Sequence, residues 1–199
     1  NMIGFSGIEA GGKFPKNSKE LIPKLAKENL KLCSGWYGAN LLKNTVKEEI
    51  HIMKDQLNLF KECNAPCMVL AEVSGSIQGE VKTPLSKRPI LDPEEWKTFY
   101  KKISEISKYM NDSGVPLAYH HHMGTIVQSQ EDTERLIDNT SDTVKLLIDT
   151  GHMMFAGGDF EKIAKDYSAR LHHVHCKDIR KDVLDDALKN DLSFIDAFF

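Results

Sequence analysis

Histidines and acidic side chains are concentrated in three short runs of the sequence, residues 120–122, 149–152 and 173–178. Seven of the eight histidines, all but His51, lie between residues 120 and 175. Imidazole and carboxylate groups together are the ligands that Mn²⁺, Co²⁺, Zn²⁺ and Fe²⁺ accept, whereas Mg²⁺ is less suited to imidazole. The three runs therefore predict a site for a divalent transition metal.

Strand alternation predicts which of these side chains share a face. In an extended chain, side chains two residues apart point the same way. His120 and His122 would then lie on one face of their strand, and His121 on the other. The same rule groups residues 173, 175 and 177. A lone histidine at a strand end would most often be structural, but three neighbouring strands that each offer ligands favour a shared site.

The motif Asp149-Thr150-Gly151-His152 ends the apolar run Leu146–Ile148. A carboxylate that follows such a run is costly to bury unless it is paired or bound to a cation. Asp149 is therefore a candidate ligand, and His152 suits a contact with a substrate on the same rim. The alternative is that Asp149 caps a helix after the strand.

Four further residues are candidates for binding or proton transfer. Glu9 and Glu72 each end a strand, where a carboxylate can be a ligand, a base, a hydroxyl acceptor or simply a satisfied rim residue. The Trp36 side chain offers an apolar face to a sugar-like ring or packs in the rim. Lys177 in a cation-rich pocket is a candidate acid or base, and its alternative is a solvated lysine on a turn.

Short apolar segments alternate with longer amphipathic ones along the whole chain, which predicts strands separated by helices. The predicted strands are residues 7–10, 30–35, 67–72, 115–120, 144–149 and 171–175. The predicted helices are residues 18–29, 45–63, 92–112, 130–139 and 159–168. Candidate caps are Ser18, Thr45 and Asp92, and candidate helix stops are Asn64 and Gly114.

Helices between successive strands imply a parallel sheet, because parallel neighbours need a crossover connection. A doubly wound sheet of the Rossmann type would show a glycine-rich fingerprint after its first strand. Neither Gly11-Gly12 nor Gly157-Gly158 fits that fingerprint. The polar residues at successive strand ends favour the (β/α)₈ TIM barrel, whose chemistry lies at the carboxyl ends of its strands.

The strand count falls short of a complete barrel. Such barrels have eight strands and take about 250 residues, whereas this chain has 199 residues and six predicted strands. We therefore expect a single, truncated barrel domain over residues 1–199 that lacks the first and last strand units.

The composition excludes several classes of protein. A net charge of −3 argues against binding to nucleic acid, and no apolar run reaches the roughly 20 residues of a membrane span. We find no signal peptide, and the four cysteines lack the spacing of a zinc motif. Reduced thiols in the cytoplasm are the expectation, and a homo-oligomer remains open.

The stretch Ala118–Thr125, with its Tyr-His-His-His-Met-Gly-Thr run, resembles the inosose dehydratases (2-keto-myo-inositol dehydratases) of bacterial inositol catabolism. The later motifs Asp149–His152 and His173–Arg180 also resemble that family. They are shared more widely among xylose-isomerase-like barrels, including sugar epimerases, dehydroshikimate dehydratases and a DNA-repair endonuclease. The resemblance implies a hydro-lyase that uses Mn²⁺ or Co²⁺ and removes water from a cyclic polyol ketone, giving a trihydroxycyclohexane-dione.

The resemblance also implies a set of metal ligands. Asp149 and His175 match ligand positions of the family directly. The family's first glutamate ligand falls on His120 here, and its final-strand glutamate would lie beyond Phe199. On this expectation the 199 residues alone would bind metal weakly.

Water loss beside a ketone is easiest when the α proton leaves first and an enolate forms, whose charge a metal can stabilise. Lys177, His122 and Glu72 are the candidates for the proton transfers. His152, Trp36 and Glu9 are the candidates for substrate binding. A keto-sugar epimerase or isomerase is the alternative activity, and a phosphodiester-cleaving enzyme and a non-catalytic binding module are weaker alternatives.

Overall fold

The computed structural model describes residues 3–198, and in these residues six strands alternate with helices. The strands are β1 (Gly7–Ala10), β2 (Lys31–Ala39), β3 (Met68–Glu72), β4 (Leu117–His120), β5 (Lys145–Asp149) and β6 (Leu171–His175). The α-helices are α1 (Ser18–Lys27), α2 (Val46–Glu62), α3 (Pro93–Asp112), α4 (Gln130–Asp138), α5 (Thr150–Phe155), α6 (Phe160–Asp166) and α7 (Lys181–Lys189). The last residues of the described chain form a 3₁₀ turn.

The six strands form one sheet in the order β1-β2-β3-β4-β5-β6, and every neighbouring pair is parallel. This consecutive order is that of a barrel, because a doubly wound sheet reverses its strand order partway. The prediction of a TIM-barrel architecture is confirmed, and the sheet has six strands where a closed barrel has eight. All carboxyl ends lie at one edge, where the register places Asp149 beside His175.

The two faces of the sheet differ in what they contact. One face packs on the helices, where Leu70 and Tyr119 join a core with Phe60 of α2 and Phe99 of α3. The other face carries the small buried cluster of Cys67, Val69, Ala118 and Leu147. Glu9 on β1 contacts His173 on β6, so the second face lines the concave interior of a curved sheet.

Local signals in the sequence account for most of the helix boundaries. Thr45 and Asp92 begin α2 and α3 with complete capping boxes, in which side chain and backbone satisfy each other's donors. Gly114 has a φ of 90°, as expected for a helix stop. The prediction that Ser18 caps α1 is wrong, since Asn17 accepts from the backbone N–H of Glu20 and Ser18 is the first helical residue.

The structure contains two α-helices that were not predicted, and one of its strands is longer than predicted. Helices α5 and α7 were not predicted, because α5 has only six residues and α7 begins without a side-chain cap. Strand β2 continues to Ala39, so Trp36 lies within the strand and not at its end. Asn1, Met2 and Phe199, which bear on the expected truncation, lie outside the described residues.

Among the described residues, no helix has both the length and the apolar character needed to cross a membrane.

We expect the replacement of Arg170 to have a large effect on the stability of the fold. The Arg170 guanidinium is mostly buried and donates to the carbonyl oxygens of Val144, Ile137 and Ser141 over 2.8–3.2 Å. We expect Arg170→Met to lower the free energy of unfolding by about 3 kcal/mol, because these carbonyls lose a charged donor. Urea denaturation measures this change. Lys108→Met, at an exposed pair with Asp112, is the control, with an expected change below about 0.5 kcal/mol; an equally small change for Arg170→Met would contradict the prediction.

Candidate metal and active site

Asp149 is the centre of the candidate site at the carboxyl edge of the sheet. Its side chain is fully buried, and its Oδ1 accepts from the backbone N–H of His152 at 2.9 Å, so it caps α5. Its Oδ2 lies 3.4 Å from His120 Nε2 and 3.4 Å from His175 Nδ1, and it accepts from Lys177 Nζ. The capping interpretation and the ligand interpretation are therefore compatible, because each uses a different carboxylate oxygen.

The tautomer of His120 tests whether these residues suit a cation. His120 donates through Nδ1 to the carbonyl oxygen of His121, which leaves the lone pair of the neutral ring on Nε2. That lone pair faces the Asp149 carboxylate. Two acceptors that face each other need a proton or a cation between them. A ring fixed by donation to a backbone carbonyl is also the usual arrangement of a metal-binding histidine. The donor set therefore fits a divalent transition metal.

Within the cluster the Asp149 carboxylate is charged, whereas several buried histidine rings are neutral. Burial opposes the charge on Asp149, but its polar contacts with His120 and His175 and with the ammonium of Lys177 hold the pKa of that carboxyl well below its usual range. Burial lowers the pKa of His120, and it lowers that of His122 to about 4. At neutral pH the buried rings thus carry lone pairs, which a cation or a substrate proton can take.

His122 and His152 face each other with opposite hydrogen-bonding roles. Their ring centroids are 3.9 Å apart. His122 donates through Nδ1 to the Met123 carbonyl at 2.8 Å, so its Nε2 carries a lone pair. His152 accepts from the Met123 backbone N–H at Nδ1 over 3.5 Å, so its Nε2 carries the proton. One ring is therefore equipped to accept a proton, and the other to donate a hydrogen bond.

Two aromatic side chains enclose the histidines. Trp36 lies edge-on to His120 and His122, with centroid distances of 5.7 and 5.6 Å. Phe194 lies 5.2 Å from His122 and 5.3 Å from His152. Aromatic rings in such positions offer apolar faces to a ligand ring while they shield the polar groups from water.

A cavity of about 270 Å³ opens beside the cluster, between α5, the segment after β6, and α7. His152, Lys177, Asp178 and Arg180 supply its polar side chains, and Phe194 forms part of its apolar wall. Ligand cavities typically measure roughly 300–1,000 Å³, so this volume suits a small molecule with a single ring.

Thr150 holds Lys177 at the edge of this cavity. The Thr150 hydroxyl donates to the Lys177 carbonyl at 2.6 Å and accepts from the Lys177 backbone N–H at 2.9 Å. The Lys177 side chain is about half exposed, so the ammonium can contact Asp149 on one side and the cavity on the other.

Glu9 lies in the concave interior, next to His175, and does not line the cavity. Its Oε1 accepts from His173 Nε2 at 2.7 Å and from His175 Nε2 at 3.0 Å. Burial opposes ionisation, but these two hydrogen bonds lower the pKa of Glu9 to about 2. Hydrogen bonds to the Cys67 thiol and to Glu9 raise the pKa of His173 to about 9. His175 therefore joins Glu9 to Asp149.

The structure does not bring Glu72 into the cluster. Alternation along β3 puts Glu72 on the face of Leu70, which packs on the helices. Its carboxylate accepts from the backbone N–H groups of Leu41 at 2.6 Å and Ser74 at 2.7 Å. Burial raises its pKa. We therefore assign Glu72 to holding the loop after β2 and not to proton transfer.

This assignment predicts the effect of Glu72→Gln. An amide can accept at only one of the two positions, which leaves a buried N–H without a partner. We expect a loss of about 2 kcal/mol in the free energy of unfolding, with metal content and turnover unchanged. Urea denaturation and elemental analysis measure the two properties. A stable variant with strongly reduced turnover would return Glu72 to the catalytic candidates.

Four residues of the site were not singled out from the sequence: His121, Thr150, His173 and Phe194. His121 Nε2 accepts from the Asp149 backbone N–H at 3.1 Å, which positions the strand end. His173 could have been found by the same alternation that grouped it with His175. Phe194 lies in no regular element and comes from a distant part of the chain, so no local pattern indicated it.

A family model described as "Xylose isomerase-like TIM barrel" matches residues 2–194 of the chain. The rhizopine catabolism protein MocC of Rhizobium meliloti is 41% identical over 194 residues, which is 98% of this chain and 60% of that protein. An inosose dehydratase of Bacillus cereus is 37% identical over 198 residues, 98% of this chain and 66% of that protein. The chain thus spans somewhat less than two thirds of the length of these relatives.

The solved structure of the IolI protein with a bound zinc atom has a similar fold, with a TM-score of 0.59 at 17% identity. The match covers 87% of this chain and 64% of that chain. At this identity the likeness concerns the fold alone.

Proposed function

Because the chain belongs to the xylose isomerase-like TIM barrel family, we propose that it is part of a metal-dependent hydro-lyase that dehydrates 2-keto-myo-inositol or a closely similar cyclic polyol ketone. The similarity to an inosose dehydratase over 98% of the chain supports this substrate class. The observation that carries the proposal is the position of His152 and Lys177 beside the buried Asp149 carboxylate and along a small cavity, with His122 packed against His152.

Asp149, His120 and His175 are the residues that would hold the metal. Their carboxylate and imidazole groups suit Mn²⁺ or Co²⁺, and a zinc atom is bound in the IolI structure. When bound, the cation would polarise the substrate carbonyl and stabilise negative charge that develops on its oxygen. Lys177 contacts the same Asp149 oxygen, so its ammonium and the cation compete for that position.

The substrate ring would occupy the cavity, with its apolar face against Phe194. His152 lines the cavity, and its protonated Nε2 would donate a hydrogen bond to a substrate oxygen. Trp36 closes the side of the site next to His120. These contacts orient the ring so that the carbon next to the carbonyl faces the proton acceptor.

His122 and Lys177 would carry the two proton transfers. The α C–H bond breaks, and its proton goes to the neutral Nε2 of His122. The electron pair left on carbon forms the new C=C bond as the C–O bond of the β-hydroxyl breaks, and Lys177 donates the proton that makes the leaving group water. The enol product then tautomerises to the trihydroxycyclohexane-dione.

The products of the reaction test the proposal. The purified protein, loaded with Mn²⁺ or Co²⁺, is incubated with 2-keto-myo-inositol and followed by ultraviolet absorbance and mass spectrometry. We expect a conjugated, ultraviolet-absorbing product that has lost one water. A product of unchanged mass with an inverted carbon would replace dehydration by epimerisation, and no reaction would contradict both activities.

A further inference from the structure

The interior of the curved sheet contains a second group of metal-binding side chains, next to the Asp149 site. The carboxylate of Glu9 and the ring nitrogens of His173 and His175 offer three ligand atoms that lie within 4.8 Å of one another. Glu9 comes from the first strand, and both histidines come from the last strand of the sheet. Alternation points all three side chains into the interior.

We propose that Glu9, His173 and His175 form a second divalent-cation site, which takes Zn²⁺ or Co²⁺ and fastens β6 to β1. This site is distinct from the Asp149 site of the proposed function. The two sites share only the ring of His175, and the second site rests on the proposed function through that ring alone.

The distances support a site that needs little rearrangement. Glu9 Oε1 lies 2.7 Å from His173 Nε2 and 3.0 Å from His175 Nε2. Around a tetrahedral ion with bonds of about 2.1 Å, neighbouring ligand atoms are about 3.4 Å apart. The three side chains would therefore move apart by about 0.5 Å, which rotamer adjustments can supply. Two imidazoles and one carboxylate leave one position open for water.

The surroundings of the histidines fix their rings. His173 also interacts with the buried thiol of Cys67, and that thiol donates to the Ser34 hydroxyl at 3.7 Å. His175 presents Nδ1 to Asp149 and Nε2 to Glu9. Partners of this kind orient metal-binding histidines and strengthen their binding.

The shared ring has a chemical consequence. If both sites are filled, each nitrogen of His175 binds one cation, and the ring gives up the protons on both nitrogens to solvent. The two sites thus become neighbours on opposite sides of a single imidazole. The second cation would join β1 and β6, which share no backbone pairing among the described strands.

Metal stoichiometry and thermal stability test this site. The protein and its variants are loaded with ZnCl₂ or CoCl₂, freed of excess metal by gel filtration, and analysed for metal per chain and for melting temperature. We expect two ions in the unmodified protein and one ion in Glu9→Gln and in His173→Gln. Binding of the second ion should raise the melting temperature of the unmodified protein, and this rise should be absent in both variants.

Two further variants make the outcomes distinct. His172→Gln is the matched control, because His172 lies on the same strand but is exposed and contacts the Pro66 carbonyl; it should keep two ions. His120→Gln should lose only the ion at Asp149. One ion in the unmodified protein that survives Glu9→Gln and His173→Gln would overturn the second site and leave the proposed function intact. One ion that survives His120→Gln but not Glu9→Gln would support the second site and contradict the first.

Discussion

Replacement of Asp149 by asparagine should abolish metal binding at the first site and lower kcat/KM by more than about 100-fold. Loss of a partner that only orients a ligand typically costs 10–100-fold in metal affinity or activity, and Asp149 is proposed as a direct ligand. The asparagine side chain removes the negative charge that His120, His175 and Lys177 face. Elemental analysis of the purified variant and steady-state kinetics measure the two effects.

The folded structure should survive this change, because asparagine caps helices about as well as aspartate. Asp159→Asn is the matched control, since Asp159 caps α6 through the backbone N–H of Lys162, just as Asp149 caps α5. The control should keep its metal and its turnover. An Asp149→Asn variant with normal metal content and normal kinetics would show that another group holds the cation.

Replacement of Lys177 by methionine should lower kcat by roughly 100-fold to 10,000-fold, the range that general acid–base groups contribute. Metal affinity should be kept or increased, because the ammonium no longer competes for Asp149 Oδ2. Metal titration of the variant and single-turnover kinetics separate these two effects. Reduced turnover without any loss of metal affinity distinguishes a proton donor from a residue that only supports the metal.

Lys181→Met provides the comparison for Lys177, because Lys181 follows four residues later and forms an exposed pair with Asp185. It should change neither property. If Lys177→Met retains normal turnover, then the proton for the leaving hydroxyl comes from elsewhere, and Lys177 has no role in the reaction.

The sequence predicted the sheet and the centre of the site because both depend on local periodicity. Apolar runs mark the strands, and in a parallel sheet with consecutive order their carboxyl ends must meet at one edge. Asp149, His120 and His175 each end such a strand, so their proximity followed from the fold. Lys177 was found in the same way, because it continues the alternation of β6.

The remaining features depend on contacts that local patterns do not contain. Glu72 also ends a strand, but its position on the face toward the helices follows from the pairing of β3 with its neighbours. Glu9 was predicted to bind substrate, but it contacts His173 because β1 and β6 approach each other across the interior. The two residues are 164 positions apart in the chain, so no local pattern indicates this contact. Phe194 reaches the histidines through the tertiary path of the segment after α7.

The most direct test of the proposed function is whether turnover requires a metal at Asp149. The purified protein is stripped with a chelator, assayed with 2-keto-myo-inositol, and assayed again after addition of Mn²⁺ or Co²⁺, with Asp149→Asn treated in parallel. We predict that water elimination disappears on chelation, returns with either ion, and never returns in Asp149→Asn. Undiminished elimination by the stripped protein would contradict a metal-assisted reaction, and recovery in Asp149→Asn would contradict the site.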